Sequence, residues 1–188
     1  MQDKKATYKL IIAMVIFGTI GLFVRYLSLP SSVIALFRGM GGTLFLLAAN
    51  GRKAVFSGGM KKNLHWLLLS GAALGFNWIL LFEAYKYTTV SVATLSYYFA
   101  PVIVTAVCPI LFREKMTKKQ ILCFLMSTAG LVLITGIGDV GGGQDHIGIL
   151  FGLAAACFYA TVVLLNKFIK GVAGIQRTFL QFLAAIVI

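Results

Sequence analysis

The chain has 188 residues, of which 60% are hydrophobic and 12% charged, and its formal net charge at pH 7 is +12. Soluble domains contain about 45–50% apolar and about 25% charged residues, so this composition excludes an ordinary soluble domain. The basic residues fall in short segments between long apolar runs, which is not the basic surface of a nucleic-acid-binding protein. We expect an all-α polytopic membrane protein, with the lipid bilayer as a partner and no nucleic acid.

Seven apolar runs follow one another along the chain. They cover approximately residues 10–27, 32–49, 64–85, 90–112, 120–137, 147–168 and 173–188. Pro101 and Pro109 lie inside the fourth run, and we expect a bend there because each proline removes a backbone donor. The seventh run is shorter than the roughly 20 residues of a complete span, and no polar residue follows it. We therefore expect the sequence to be a piece of a longer protein.

The positions of lysine and arginine predict the orientation in the membrane. With a cytoplasmic N-terminus, the outer ends of the spans carry only Arg25 and Lys86, and the other basic residues of the connecting segments lie inside. The glycine-rich loop at 139–146 contains Asp139 and Asp145 but no lysine or arginine, and it then lies outside. Since cytoplasmic loops are rich in lysine and arginine, we expect a multi-pass protein of the cytoplasmic membrane with its N-terminus in the cytoplasm.

No catalytic or metal-binding pattern is evident in the sequence. Cys108, Cys123 and Cys157 lie inside apolar runs without the spacing of metal ligands, and His65 and His146 are far apart. We expect no enzyme, no cofactor, and neither catalytic nor metal-binding residues. Closely spaced glycines instead predict close helix packing, and they occur at Gly71 and Gly75, at Gly148 and Gly152, and at Gly39, Gly41 and Gly42.

Two segments suggest an internal repeat. Residues 13–22 read AMVIFGTIGL and residues 154–163 read AAACFYATVV, so both place small residues around an aromatic centre. Five spans separate the start of the two segments, and because five is odd, a second copy must enter the membrane upside down. Such inverted repeats are a recurrent membrane architecture. The sequence then predicts a first five-helix repeat at 1–138, an external loop at 139–146, and the start of an inverted second repeat at 147–188.

Several short motifs follow one another along the chain. Each motif alone has little specificity for a protein family, but their order and spacing together are fairly specific. They are Phe17-Gly18, Leu36-Phe37-Arg38-Gly39, Asn77, Phe82-x-Ala84-x-x-Tyr87-Thr88, Ala93-x-x-x-x-Tyr98-x-x-Pro101, Phe112-Arg113-Glu114-Lys115, Gln120, Gly130 and the segment from Gly152 to Ala160. With these motifs the chain resembles the EamA-type family of the drug/metabolite transporter superfamily. The resemblance implies two inverted five-helix repeats with about ten spans, about seven of them present here, that move small metabolites by alternating access.

Three polar residues inside the predicted spans are candidates for a binding site. A charge inside a membrane costs about 3 kcal/mol or more, so Arg38 must face protein, water or a partner. Glu83 lies at a depth that Arg38 can approach, either as a functional pair lining a pathway or as a structural pair between helices. Asn77 lies near the middle of its span, where it would bind a substrate or form an ordinary hydrogen bond between helices.

Two tyrosines complete the set of candidates. Tyr98 lies one turn before Pro101, and we favour it over the adjacent Tyr97 as a residue of a cavity. Tyr159 in the sixth run is a similar candidate. For both residues the alternative is simple aromatic packing.

The resemblance implies a function for these residues. We expect the N-terminal part of a secondary transporter, a permease or exporter, for a small polar or amphipathic metabolite. Arg38 would bind an anionic group, Asn77 would form hydrogen bonds, and Tyr98 would supply an aromatic wall. Glu83 would bind a proton if transport is coupled to one. The alternative is a truncated, non-transporting membrane interaction protein, and a homodimer is also left open.

Overall fold

The computed structural model of the protein describes residues 2–55, 63–112, 117–136 and 145–188. This described part contains eight α-helices and no β-strand. The helices are α1 Gln2–Tyr26, α2 Ser31–Val55, α3 Leu64–Tyr87, α4 Val90–Tyr97, α5 Ala100–Phe112, α6 Lys118–Gly136, α7 Asp145–Phe168 and α8 Gly174–Val187. Four segments of the described part are long and apolar enough to cross a membrane: Ser31–Gly51, Leu64–Tyr87, Val90–Leu111 and Asp145–Phe168. The prediction of an all-α polytopic membrane protein is confirmed.

The predicted runs coincide with the helices, apart from an earlier start of α1 and a division of the fourth run. Gly51 has a φ of 71°, so the regular part of α2 ends at Asn50, as the sequence Asn50-Gly51 predicts. The basic segment at 113–116 lies outside the described residues, as does the glycine-rich loop up to position 144. Asp145 and His146, the last two residues of that predicted loop, form the start of α7.

The fourth run is broken rather than only bent. α4 ends at Tyr97, and α5 begins at Ala100 after a link of two residues. Pro101 explains the break because it has no N–H to donate to the Tyr97 carbonyl four residues earlier. The Phe99 N–H turns back to the Ser96 carbonyl at 3.2 Å, which satisfies part of the interrupted backbone. The two prolines therefore act differently, since Pro101 is the second residue of α5 and Pro109 lies in its interior.

The helix α3 is the centre of the fold. It contacts α1, α2, α4, α7 and α8, and its contacts with α7 and α8 are the most extensive. Leu67, Leu74, Trp78 and Phe82 of α3 are buried in this packing. Exposed apolar side chains are frequent on α1 and α6, as suits helices that face a bilayer instead of a protein core.

Glycines allow α7 and α8 to approach this central helix closely. A Cβ added at Gly71 would lie 2.5 Å from the Ala184 Cβ of α8, and one added at Gly75 would lie 3.2 Å from the Ala185 carbonyl oxygen. On α7, a Cβ added at Gly148 would lie 2.5 Å from the Thr88 Cγ2 at the end of α3, and one at Gly152 would lie 2.9 Å from the Ser96 Cβ of α4. The prediction of close packing is confirmed at these positions and also at Gly39 and Gly42. It is wrong for Gly41, which has no neighbour within 4 Å of an added Cβ.

The buried side-chain amide of Gln181 joins α3, α7 and α8. Gln181 of α8 donates from Nε2 to the Ser70 hydroxyl of α3 at 2.7 Å and to the Asn166 Oδ1 of α7 at 2.8 Å. Ser70 and Gln181 are buried. Because these polar groups satisfy one another away from water, they fix the register of α8 against its two neighbours.

We expect the substitution Gly71→Ala to lower the free energy of unfolding by about 1–3 kcal/mol, because an extra methyl group in a tight contact forces the helices apart. Its Cβ would lie 2.7 Å from the Gln181 carbonyl oxygen, which belongs to the backbone and cannot rotate away. Thermal unfolding in detergent, followed by the fluorescence of Trp66 and Trp78, measures the change. Gly41→Ala is the matched control, and an equal loss in both variants would contradict the packing described here.

A polar and aromatic cluster at the helix break

The guanidinium of Arg38 lies against the aromatic face of α3. Its Cζ is 4.8 Å from the centroid of the Trp78 ring and 5.7 Å from that of the Phe82 ring. Trp78 and Phe82 are four residues apart, so they lie on the same side of α3 and present their rings together. Cation–π contacts of this kind stabilise a desolvated charge by about 2 kcal/mol or more. The aromatic rings thus offset part of the cost of placing Arg38 inside the membrane.

Two tyrosines approach this charge from α3 and α4. Tyr85 and Tyr97 are both close enough to Arg38 for an electrostatic interaction. The Tyr85 hydroxyl lies 3.3 Å from the Thr94 Oγ1, which joins α3 to α4. Tyr97 is the last residue of α4, and its ring centroid is 5.6 Å from that of Tyr159 on α7. Side chains from four helices therefore meet beside the break between α4 and α5.

Asn77 is fully buried in the same region, and only one of the two polar atoms of its side-chain amide forms a hydrogen bond. Its Nδ2 donates to the Ala155 carbonyl oxygen of α7 at 2.7 Å. Its Oδ1 has no hydrogen-bond partner, and the Asn77 side chain is also close to that of Tyr97. A buried acceptor without a donor costs about 1–3 kcal/mol, and an N–H or O–H group of a ligand would remove that cost.

The carboxylate of Glu83 is occupied at the end of α3. It accepts a hydrogen bond from the Ser31 hydroxyl at the start of α2, and it forms an ion pair of 3.0 Å with Lys86. Both side chains of that ion pair are partly exposed, so its contribution to stability is small. Ser31 and Lys86, rather than Arg38, are the groups that act on Glu83. Glu83 therefore fastens α2 to α3 and stands apart from the aromatic cluster around Arg38.

The two tyrosines predicted from the sequence have different surroundings. Tyr159 is partly exposed and lies against Tyr97, at the edge of the cluster. Tyr98 is 59% exposed in the link between α4 and α5, and its ring centroid is 6.1 Å from that of Tyr97. The structure thus brings Arg38, Asn77 and Tyr159 together through Tyr97, and it places Tyr98 on the outside of them.

Reasoning from the sequence missed Trp78, Phe82 and Tyr85 and preferred Tyr98 to Tyr97. A usable signal was present for the first three, because the spacing 78, 82 and 85 forms one stripe on a helix. This stripe faces the Arg38 side chain. For Tyr97, the signal would have been the end of α4, which the sequence does not mark.

Comparison with known proteins identifies the class of this chain. The EamA-like transporter family matches residues 5–136, which is more than half of the chain, so the chain belongs to that family. An uncharacterized transporter of Bacillus subtilis (strain 168), YxxF, is 34% identical over 186 residues, which cover 96% of this chain. The chain spans only 59% of the length of that relative. No solved structure gives a significant match.

We expect Asn77→Ala to lower the free energy of unfolding by about 1 kcal/mol, because it removes the buried hydrogen bond between α3 and α7. Chemical unfolding of the purified protein in mixed micelles, followed by tryptophan fluorescence, measures this loss. Asn50→Ala is the control, since Asn50 donates to Leu46 of its own helix at 3.2 Å. A loss in the control as large as that in Asn77→Ala would contradict a specific role for the contact between α3 and α7.

Proposed function

We propose that this chain is the N-terminal part of a secondary transporter that moves a small metabolite across the cytoplasmic membrane by alternating access. Membership of the EamA-like transporter family supports this proposal. The single observation that carries the site is the buried Oδ1 of Asn77, which has no hydrogen-bond partner. The Asn77 side chain is close to Tyr97, and Tyr97 in turn interacts with Arg38. These features support a transporter and give no support to an enzymatic role.

The cluster suggests the chemistry of the substrate. Arg38 would bind an anionic group, since a guanidinium stacked over rings still presents its N–H groups in its own plane. Asn77 would accept a hydrogen bond from an N–H or O–H group of the substrate. Tyr97 and Tyr159 would form an aromatic wall, with Tyr98 at its outer edge. The break between α4 and α5 supports this placement, because interrupted helices commonly form the binding sites of transporters.

Uptake by proteoliposomes tests the proposal. An extract of 13C-labelled cells serves as the probe, and mass spectrometry identifies compounds that enter loaded vesicles but not empty ones. We expect Arg38→Ala to reduce uptake of the identified anion by about 10- to 100-fold, since a hydrogen bond to a charged group contributes about 1.5–3 kcal/mol. The control Arg177→Ala removes a positive charge from α8 and should leave uptake unchanged.

Two results would overturn these assignments. Equal uptake in Arg38→Ala and wild type would remove Arg38 from the site. No uptake of any compound by the wild type would favour the non-transporting membrane interaction protein instead. We also propose that Glu83 lies at the end of the pathway and binds a proton if transport is coupled to one. In that case the substitution Glu83→Gln should abolish the dependence of uptake on a pH gradient.

We also propose a cytoplasmic N-terminus, on the distribution of lysine and arginine. Green fluorescent protein fused after Gly58 should fluoresce, and alkaline phosphatase fused after Gly142 should be active, because the first reporter requires the cytoplasm and the second the outside. The exchanged fusions are the controls and should both be inactive. The reverse pattern would invert the orientation. Homodimer formation, a separate proposal, is tested by light scattering of the purified protein.

A further inference from the structure

The ring of Phe182 on α8 packs against the ring of Trp78 on α3. The two ring centroids are 5.2 Å apart, and the ring planes meet at 69°. The same Trp78 ring lies beneath the Arg38 guanidinium, whose Cζ is 4.8 Å from the ring centroid. Trp78 is 5% exposed, so its ring is enclosed by these and other neighbours. Through one tryptophan ring, α8 is therefore in contact with the residue on which Arg38 rests.

The helix α2 encloses Phe182 from another side. A Cβ added at Gly42 would overlap the Phe182 ring at its Cε2 and Cδ2 atoms, so the ring lies directly on the α2 backbone. Gly42 follows Arg38 by four residues, which places the two on the same side of α2, one turn apart. Arg38, Trp78 and Phe182 therefore meet at one junction of α2, α3 and α8.

The α8 backbone is fixed on both sides of Phe182. A Cβ added at Gly71 would lie 3.0 Å from the Gln181 Cα, and one added at Gly75 would lie 3.3 Å from the Ala185 Cα. The side-chain amide of Gln181 is also hydrogen-bonded to both α3 and α7. Because α8 is held this closely against α3, the position of the Phe182 ring relative to Trp78 is set by the backbone.

The orientation of the Trp78 ring matters for its contact with Arg38. An aromatic ring has a negative face and a positive edge, so it attracts a cation only when the face is presented. If the Trp78 ring turned about its side-chain bonds, its positive edge would come toward the guanidinium. Phe82, the other ring beside Arg38, lies farther away at 5.7 Å and cannot replace Trp78 without a movement of Arg38.

We propose that Phe182 is a positioning residue of the anion-binding site. It holds the face of the Trp78 ring toward Arg38, and it thereby keeps the guanidinium in place for an anionic group of the substrate. The role in substrate binding rests on the proposed function, whereas the orientation of the Trp78 ring can be measured without any substrate. Simple packing of α8, with no influence on Arg38, is the alternative that the experiment must separate from this role.

Fluorine NMR of the purified protein in lipid nanodiscs tests the orientation. The chain has two tryptophans, so 5-fluorotryptophan in a Trp66→Phe background labels position 78 alone. We expect Arg38→Gln to shift this resonance, because it removes the charge over the ring. In a Phe182→Leu background the same substitution should shift it at least about twofold less, since the ring no longer keeps its face toward residue 38.

The matched control is Phe151→Leu, which also removes a ring packed on α3. Phe151 is stacked on Tyr87, with 5.5 Å between the centroids. In a Phe151→Leu background, Arg38→Gln should shift the resonance of position 78 as much as it does in the Trp66→Phe protein. If Phe182→Leu fails to fold, Phe182→Met takes its place in the same comparison.

Uptake into proteoliposomes from the 13C-labelled extract tests the role in binding. For Phe182→Leu we expect the extract concentration that gives half-maximal uptake to rise about 2- to 10-fold at an unchanged maximal rate, the effect expected from the loss of one aromatic contact. Phe151→Leu should behave as wild type. An undiminished NMR shift in Phe182→Leu, an unchanged half-maximal concentration, or equal effects of the two leucine variants would overturn the proposal. No uptake by the wild type would contradict the proposed transport function alone, and the NMR comparison would still decide whether Phe182 orients Trp78.

Discussion

The close contact between α3 and α7 is the constraint on which the rest of the structure depends. Within a bilayer the backbone of each helix is satisfied internally, so helices associate through close packing and a few hydrogen bonds. Gly148, Gly152 and Ala155 give α7 a smooth face. Thr88 and Asn77 of the α3 segment and Ser96 of the neighbouring α4 occupy the space that larger side chains would fill. Any side chain added on that face of α7 would move the helix away and separate the polar groups that it now holds.

This contact also determines the position of the aromatic cluster. Asn77 can reach the Ala155 carbonyl only because the two helices are close, and its side chain is also close to that of Tyr97. Tyr97, the last residue of α4, interacts with Arg38 and packs against Tyr159. The break caused by Pro101 and the close packing of α7 therefore act together to place polar groups beside Arg38.

Much of the architecture could be predicted from the sequence, because apolar length and turn residues act locally. The stop at Asn50-Gly51, the link after Tyr87 and the glycine contacts all follow from single residues. The partners of individual side chains were harder to predict from the sequence, as Glu83 shows. Its partner three residues along the same helix, Lys86, needs no particular tertiary arrangement, whereas a pair with Arg38 requires two helices in one register. The choice between Tyr97 and Tyr98 failed for a similar reason. Adjacent helical residues point about 100° apart, so a shift of one residue in the end of α4 exchanges their roles.

The helix α7 contacts both polar places on α3, and this gives it a special position. Asn77 and Thr88 are eleven residues apart, so they lie about 16 Å from each other along the axis of α3. At one place α7 supplies the Ala155 carbonyl, and at the other Gly148 packs against Thr88. A rigid helix that moves by even one or two ångströms changes both contacts at once, because it cannot bend sharply between them without a proline or a similar interruption. A change of structure at one of these places is therefore transmitted to the other through α7.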